Sequence, residues 1–275
     1  MYKKHVLYPF KCRSIDRSRT MIFFNTPNVA DCADIRRQII IFVLIMPYKH
    51  IFFDLDHTIW DFDKNAEETL HELFHSYQLE DIGLFSPDLF IKTYTRNNHD
   101  LWADYHLGHI SKQHLRETRF KKTFLDLGLA PEIIPMSFED DYVRICPTKK
   151  NLFPYAVEVL SYLTERYHLH LISNGFKEST EIKVKTSGLN SYFKTIVISE
   201  VVGLNKPDKA IFEYSLKGAG ALKHESMMIG DSLIADVRGA MAFGIDVIYF
   251  NPKRAEKPED IDKEINCLSE LTTLL

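Results

Sequence analysis

The sequence lacks the marks of several large protein classes. Only four of its 275 residues are cysteine and none stands in a CxxC pair, which argues against a disulfide framework or a zinc site and is typical of a protein of the reducing cytoplasm. No excess of positive charge is present, because the net charge is −4, so we expect no nucleic-acid polymer as a partner. The apolar run from Ile39 to Met46 is far shorter than the roughly 20 residues of a membrane span, and we expect no membrane association.

What is present is an ordinary globular composition, with 45% hydrophobic and 26% charged residues. The length allows one large domain or a domain with an insertion, and we expect a monomer or a homodimer. The first 46 residues differ from the rest, since they hold eight Lys or Arg and three acids. Their apolar run is followed by Pro47 and not by the small residues of a signal-peptide cleavage site. We therefore expect residues 1–46 to be an extension that precedes the core, with Met46 as the natural start and residues 1–45 either dispensable or not native.

The remaining chain divides into two parts that differ in their pattern of apolar residues. Residues 48–55 are mostly apolar and end in acids, which predicts a buried strand. From about residue 64 to residue 146 apolar residues recur at helical spacing, and helix starts are expected at Ser86, Ser111 and Pro131. This pattern predicts about four helices with no strand between them.

Beyond Pro147 helical and strand patterns alternate. Helices are expected over 155–166, 177–187, 208–219 and 234–243, and the strands that follow them over 168–173, 195–199, 226–229 and 245–250. Such alternation is typical of a parallel sheet. We therefore predict an α/β core formed by residues 47–63 and 150–275, interrupted by an all-helical segment over residues 64–149.

Polar side chains gather where the predicted strands end. They follow the first, second and fourth strands and precede one helix: Asp54, Asp56 and Thr58; Ser173 and Asn174; Asp231 and Asp236; and Lys206. In open parallel sheets, ligands bind beyond the carboxyl ends of the strands. Singly, these acids are ordinary helix caps and the lysine an ordinary surface lysine, but their common edge predicts one site.

The residue types of this site favour phosphoryl chemistry. Several carboxylates side by side need a counter-cation, and hard oxygen ligands suit Mg²⁺. The metal and Lys206 would neutralise a phosphoryl group. An aspartate can act as nucleophile, and a second acid can protonate the leaving oxygen and then activate water.

Four motifs resemble the haloacid dehalogenase superfamily of phosphohydrolases over residues 47–275. They are Asp54-x-Asp56-x-Thr58, Ser173-Asn174, Lys206-Pro207 and Gly230-Asp231-x4-Asp236. The resemblance implies a Rossmann-like core with a helical cap inserted after the first strand, which closes over the site. It also implies that Asp54 is the nucleophile, Asp56 the general acid/base and Lys206 a catalytic charge-neutralising group. The implied phosphate ligands are Thr58, Ser173, Asn174 and Lys206. The implied Mg²⁺ ligands are Asp54, the main-chain carbonyl of Asp56, Asp231 and Asp236. Alternatively, Asp236 would orient Lys206 or a metal-bound water.

Within this superfamily the stretch from Phe53 to Asp63 is similar to the YjjG-type pyrimidine 5′-nucleotidases. The resemblance implies a small phosphorylated metabolite as substrate, with nucleoside monophosphates ahead of sugar phosphates. Trp102, Tyr105 and Arg96 are candidate substrate-facing residues of the cap. A phosphomutase, a 2-haloacid dehalogenase and a non-enzymatic binding protein remain alternatives, although a dehalogenase would need neither the metal nor an acid at Asp56.

Overall fold

A six-stranded parallel sheet forms the centre of the part of the chain that the structure describes. The fold comes from a computed structural model of the chain, which describes residues 48–84 and 86–275, so the predicted extension over residues 1–46 lies outside the described residues. The strands are β1 (His50–Phe53), β2 (His168–Ser173), β3 (Phe193–Ile198), β4 (Ser226–Gly230), β5 (Asp246–Phe250) and β6 (Glu264–Ile265). Their order is β3-β2-β1-β4-β5-β6, all parallel. The order reverses at β1, the position at which open α/β sheets bind ligands.

Four α-helices follow β1 before residue 148, as the sequence predicts. They are α1 (Phe62–Ser76), α2 (Pro87–His106), α3 (Lys112–Asp126) and α4 (Phe138–Ile145). The predicted N-caps are present, because the hydroxyls of Ser86 and Ser111 accept hydrogen bonds from the first turns of α2 and α3. The helix expected at Pro131 is a single 3₁₀ turn, Pro131–Ile133. A second proline, Pro135, holds the preceding residue in an extended conformation and ends it.

Buried aromatic side chains hold these four helices together. Phe90 packs between α1 and α3, with its ring centroid 6.0 Å from that of Phe74 and 5.4 Å from that of Phe124. Phe138 of α4 completes the cluster, 5.7 Å from Phe90. Each ring is almost fully buried, which stabilises the fold by about 1.5–3 kcal/mol per side chain. The helices of the helical insertion, residues 62–148, therefore share an apolar interior, which is continuous with the apolar core on one face of the sheet.

Helices on both faces cover the sheet. They are α5 (Ala156–Thr164), α6 (Lys177–Thr186), α7 (Ser199–Val202), α8 (Lys209–Ala219), α9 (Gly239–Phe243) and α10 (Leu271–Leu274). The predicted α/β class with a helical insertion is confirmed. Among the described residues, none of the helices combines the length and apolarity that crossing a membrane requires.

The segment after β4 departs from the predicted single helix over residues 234–243. It begins as a π-helical turn, Leu233–Arg238, and only then continues as α9. Within this turn the carboxylate of Asp236 accepts a hydrogen bond from the backbone N–H of Ser232 at 3.0 Å. Widened turns of this kind are frequent at functional sites, and this one directs Asp236 under the sheet edge.

Candidate active site

Lys206 is the centre of the polar cluster. Its ammonium donates hydrogen bonds to Asp54 Oδ1 at 2.5 Å and to the carbonyl of Ile172 at 2.7 Å. A second carboxylate oxygen, Asp236 Oδ1, lies 2.7 Å away. The side chain is almost fully buried. Burial alone would lower the pKa of Lys206, but the carboxylates of Asp236 and Asp54 raise it above its usual range, so this lysine is a fixed positive charge.

Three carboxylates surround this charge. Asp54, Asp231 and Asp236 can each offer an oxygen within 4.8 Å of the other two. Burial raises the pKa of Asp54 to about 7, although Lys206 opposes the change. Burial, together with the charges of Asp54 and Asp236, raises the pKa of Asp231 well above its ordinary value. Two buried carboxylates and a half-buried one beside one ammonium leave an excess of negative charge when ionised, and their hard oxygen atoms are the donors that Mg²⁺ prefers. The residues therefore fit a divalent cation.

Thr58 connects the loop after β1 to the loop after β4 through hydrogen bonds. Its hydroxyl donates to Asp231 Oδ1 at 3.0 Å and accepts from the backbone N–H of Asp231 at 3.1 Å. The residue is fully buried. Since a hydroxyl has a single proton to donate, the contact with Asp231 occupies it. The structure thus places Thr58 beside a carboxylate of the cluster, and its predicted contact with phosphate stays a prediction.

Asn174 makes a similar pair of bonds with the loop that carries Lys206. Its side-chain amide donates to the Lys206 carbonyl at 2.9 Å and accepts from the Lys206 N–H at 2.8 Å. Ser173, one residue earlier, accepts from the N–H of Gly175 at 3.1 Å. A Cβ at Gly175 would lie 2.6 Å from the hydroxyl of Thr180, so the tight loop requires glycine. Asn174 holds Lys206 in place, and its own contact with phosphate stays a prediction.

Asp56 has a partner that sequence reasoning missed. The ammonium of Lys183, on α6, donates to Asp56 Oδ1 at 2.6 Å. Lys183 is 5% exposed and lies over the ring of Trp60, 4.3 Å from its centroid. No motif marks this lysine, because lysines in surface helices normally extend into solvent. The one available signal is its position in the helix after the Ser173-Asn174 motif.

A cavity of about 770 Å³ joins the cluster to the helical insertion, a size within the usual range for small-molecule sites. Its lining includes Trp102 and His106 of α2 and Phe176 beside the sheet. The rings of Trp102 and Phe176 lie 4.9 Å apart. Burial lowers the pKa of His106 to about 4, so a neutral imidazole faces the cavity. Arg96, expected to face the substrate, instead pairs with Asp126 at 2.9 Å.

This fold and this cluster define a hydrolase of the haloacid dehalogenase type. The haloacid dehalogenase-like hydrolase family matches residues 48–244, and the chain belongs to that family. This match confirms two predictions: that the chain belongs to the haloacid dehalogenase superfamily, and that it is an enzyme of the hydrolase class.

Two relatives and one solved structure are similar to this chain over most of its length. The chain is 31% identical to pyrimidine 5′-nucleotidase YjjG of Escherichia coli, over 84% of this chain and 99% of the relative. It is 34% identical to pyrimidine 5′-nucleotidase PynA of Streptococcus pneumoniae, over 77% and 87%. Among solved structures, the HAD-hydrolase YfnB of Bacillus subtilis, bound to magnesium, superposes with a TM-score of 0.72 at 29% identity, over 82% of this chain and 98% of that one.

Proposed function

We propose that this protein is a Mg²⁺-dependent phosphomonoesterase, a cytoplasmic 5′-nucleotidase that acts on pyrimidine nucleoside monophosphates. The observation that carries the proposal is the buried contact of 2.5 Å between Lys206 and Asp54, inside a cluster of three carboxylates at the end of the central strand. A lysine and a cation on either side of one carboxylate suit attack on a phosphate, whose charge must be neutralised. The pyrimidine nucleotidases among the relatives support the substrate class.

In the first half-reaction a carboxylate oxygen of Asp54 attacks phosphorus. A bond forms between that oxygen and phosphorus, and the bond from phosphorus to the ester oxygen breaks. Asp56, which lies at the same strand end, gives its proton to the leaving oxygen. The nucleoside departs and an aspartyl-phosphate remains.

In the second half-reaction Asp56 takes a proton from water. The water oxygen bonds to phosphorus, the bond to the Asp54 oxygen breaks, and inorganic phosphate leaves. Lys206 stays hydrogen-bonded to the Asp54 carboxylate in the structure, so it can offset charge on nucleophile and phosphate in both halves. Ser173, at the end of β2, is the proposed hydrogen-bond donor to the phosphoryl oxygens.

The proposed Mg²⁺ ligands are Asp54, Asp231 and Asp236, with the carbonyl of Asp56 as a further donor. When bound there, the ion would supply positive charge to the phosphoryl oxygens. Thr58 orients Asp231 through its two hydrogen bonds, which is the usual task of groups next to metal ligands. The magnesium of the YfnB structure supports this choice of metal.

The cavity supplies the place for the nucleoside. Trp102 and Phe176 present ring faces on which a flat base can stack. The helical insertion acts as the cap that covers this part of the cavity, with boundaries near residues 64 and 149.

A turnover screen tests the proposal. The purified protein is assayed for phosphate release from uridine, thymidine and adenosine 5′-monophosphates and glucose 6-phosphate, with Mg²⁺ and with a chelator. We expect hydrolysis that needs Mg²⁺ and favours the pyrimidine esters, and we expect Asp54→Asn to abolish it while the thermal unfolding midpoint stays near that of the unaltered protein. Metal-independent turnover, or substantial activity of Asp54→Asn, would contradict the mechanism; preference for the sugar phosphate would contradict the substrate class.

A further inference from the structure

Lys183 is a buried charge that the proposed mechanism does not use. It lies on α6, outside the four motifs, and its side chain is 6% exposed. Its ammonium contacts the Asp56 carboxylate at 2.6 Å, and within the described residues no other acid pairs with it. Lysines are almost never buried without a reason, because removing the charge from water costs free energy. Its partner identifies a reason, since Asp56 is the proposed acid/base.

The surroundings of Lys183 keep the ammonium in one place. It lies 4.3 Å from the centroid of the Trp60 ring and 5.4 Å from that of Phe62. Trp60 is fully buried, and its indole N–H donates to the carbonyl of Lys149 at 3.2 Å, so the ring cannot turn away. Aromatic faces attract ammonium groups. The ammonium is therefore held against the immobile ring of Trp60 and offers Asp56 a fixed hydrogen-bond donor.

The contact uses one oxygen of Asp56 and leaves the other available. Lys183 binds Oδ1, whereas Oδ2 faces Gly175, where an added Cβ would lie 3.7 Å away. Gly175 belongs to the loop that begins with Ser173, the proposed phosphate donor. The oxygen left available thus points toward the place where the ester would lie.

We propose that Lys183 is a positioning residue, which orients the Asp56 carboxyl group for proton transfer to the leaving oxygen. The inference rests on the proposed function, because it presumes that Asp56 is the acid. Two other roles make different predictions. A purely structural tie between α6 and the loop after β1 would affect all substrates equally, and so would a lysine that neutralises the phosphate.

Two esters with different leaving groups separate these roles. The alkoxide of a nucleoside needs a proton as it departs, whereas p-nitrophenolate leaves without one. Because kcat/KM covers only the steps up to formation of the aspartyl-phosphate, it isolates the proton donated to the leaving group from the later attack of water. We therefore compare kcat/KM for uridine 5′-monophosphate and for p-nitrophenyl phosphate.

Lys183→Met should lower kcat/KM for uridine monophosphate about tenfold or more, as a well-placed acid contributes roughly 10²–10⁴-fold. The value for p-nitrophenyl phosphate should change less than about threefold, since the same acid is dispensable there. Lys183→Arg keeps the charge and should recover most of the nucleotide activity. Lys185→Met, two residues along the same helix and exposed, is the matched control and should leave both values unchanged.

A double-mutant cycle completes the test. With Asp56→Asn already present, Lys183→Met should change kcat/KM for the nucleotide less than about twofold, because the group that it positions is gone. Equal losses of kcat/KM on both esters, or a full additional loss in the Asp56→Asn protein, would overturn the proposed role of Lys183 but not the proposed function. If the unaltered protein hydrolyses neither ester, the proposed function fails and Lys183 loses its role with it. Lys183→Gln replaces Lys183→Met in every comparison if the latter does not fold.

Discussion

Gly230 decides where the most buried carboxylate of the site can lie. A Cβ added at this residue would overlap the carboxylate of Asp236, which is 1% exposed and lies 2.7 Å from the ammonium of Lys206. The side chain of Asp236 therefore occupies the space that any other residue at position 230 would fill. A glycine with ordinary backbone angles is required here for close approach and not for conformational freedom.

Gly230→Ala should for this reason lower activity strongly. The methyl group displaces Asp236, and Lys206 loses one of its two carboxylate partners, so we expect kcat to fall at least about 100-fold, as is typical when positioned catalytic groups are displaced. The measurement is phosphate release from uridine monophosphate, together with thermal unfolding. Gly218→Ala is the matched control, because nothing lies within 4 Å of a Cβ at that helical position. Normal kcat in Gly230→Ala would show that Asp236 can be placed elsewhere without loss.

Sequence patterns predict single residues of the site well when local position defines them. Asp54 follows β1 and Ser173 is the last residue of β2, two strands that the pattern of apolar residues predicts, so both lie at the expected edge. Thr58 and Asn174 were expected to bind phosphate, but their hydrogen bonds to Asp231 and Lys206 depend on which loops become neighbours. Such pairings belong to the tertiary structure, and no local spacing predicts them.

At the scale of elements, caps and strands were predictable and backbone irregularities were not. The predicted bounds of β2 are those observed, and Ser86 caps α2 as expected. The π-helical turn after β4 escaped prediction, because no pattern of apolar residues distinguishes it from the first turn of an α-helix. The two-residue strand β6 and the four-residue helices α7 and α10 also lack a sequence signal, since each spans little more than one period of its pattern.

One lysine links the helical insertion to the sheet. Lys112, at the start of α3, lies 2.7 Å from Glu200 of α7 and 3.2 Å from Glu178 of α6. Its ammonium also lies 4.6 Å from the centroid of the Phe176 ring, which lines the cavity. These contacts hold the insertion against the sheet side of the cavity, and they are partly exposed, so dissolved salt can weaken them.

Lys112→Met should weaken the contact that holds the helical insertion over the cavity. The loss of a partly exposed ion pair costs about 0–1 kcal/mol, so we expect KM for uridine monophosphate to rise about two- to fivefold while the stability of the fold hardly changes. The rise of KM with added salt should also be weaker in the variant than in the unaltered protein. Lys122→Met removes a lysine whose partner, Asp126, lies on the same helix, and it should have neither effect. Identical salt profiles for Lys112→Met and the unaltered protein would refute the link.

For the whole molecule, the site exists because the sheet topology brings distant segments together. Lys206 and Asp54 are separated by 152 residues, and Thr58 and Asp231 by 173. The strand order places β1 between β2 and β4, so the segments that follow these three strands meet at one edge. Alternating strand and helix patterns predict a parallel sheet, and a parallel sheet alone implies a common edge. The pairing of Lys183 with Asp56 requires in addition that α6 packs beside the loop after β1, which local patterns do not specify.

The same sheet makes the stability of the whole molecule depend on pH. His170, on β2, is 2% exposed, and its two ring nitrogens lie 2.8 Å from the hydroxyl of Thr195 and 3.0 Å from a ring nitrogen of His50. Burial, with smaller effects from His50 and His168, lowers the pKa of His170 to about 4. An unfolded histidine titrates near 6.5. Between these values the unfolded chain binds a proton that the native protein does not bind, so the free energy of unfolding falls as the pH falls.

Urea unfolding at pH 7.5 and pH 5 measures this loss. We expect a lower free energy of unfolding at pH 5, and a smaller difference between the two values in His170→Gln, because the substituted side chain cannot take up a proton. His224→Gln, at an exposed position, controls for the removal of a histidine as such. The contribution of His170 should stop growing below about pH 4, where the native residue is protonated as well. A pH dependence that is the same with and without His170 would mean that the buried imidazole carries no such penalty.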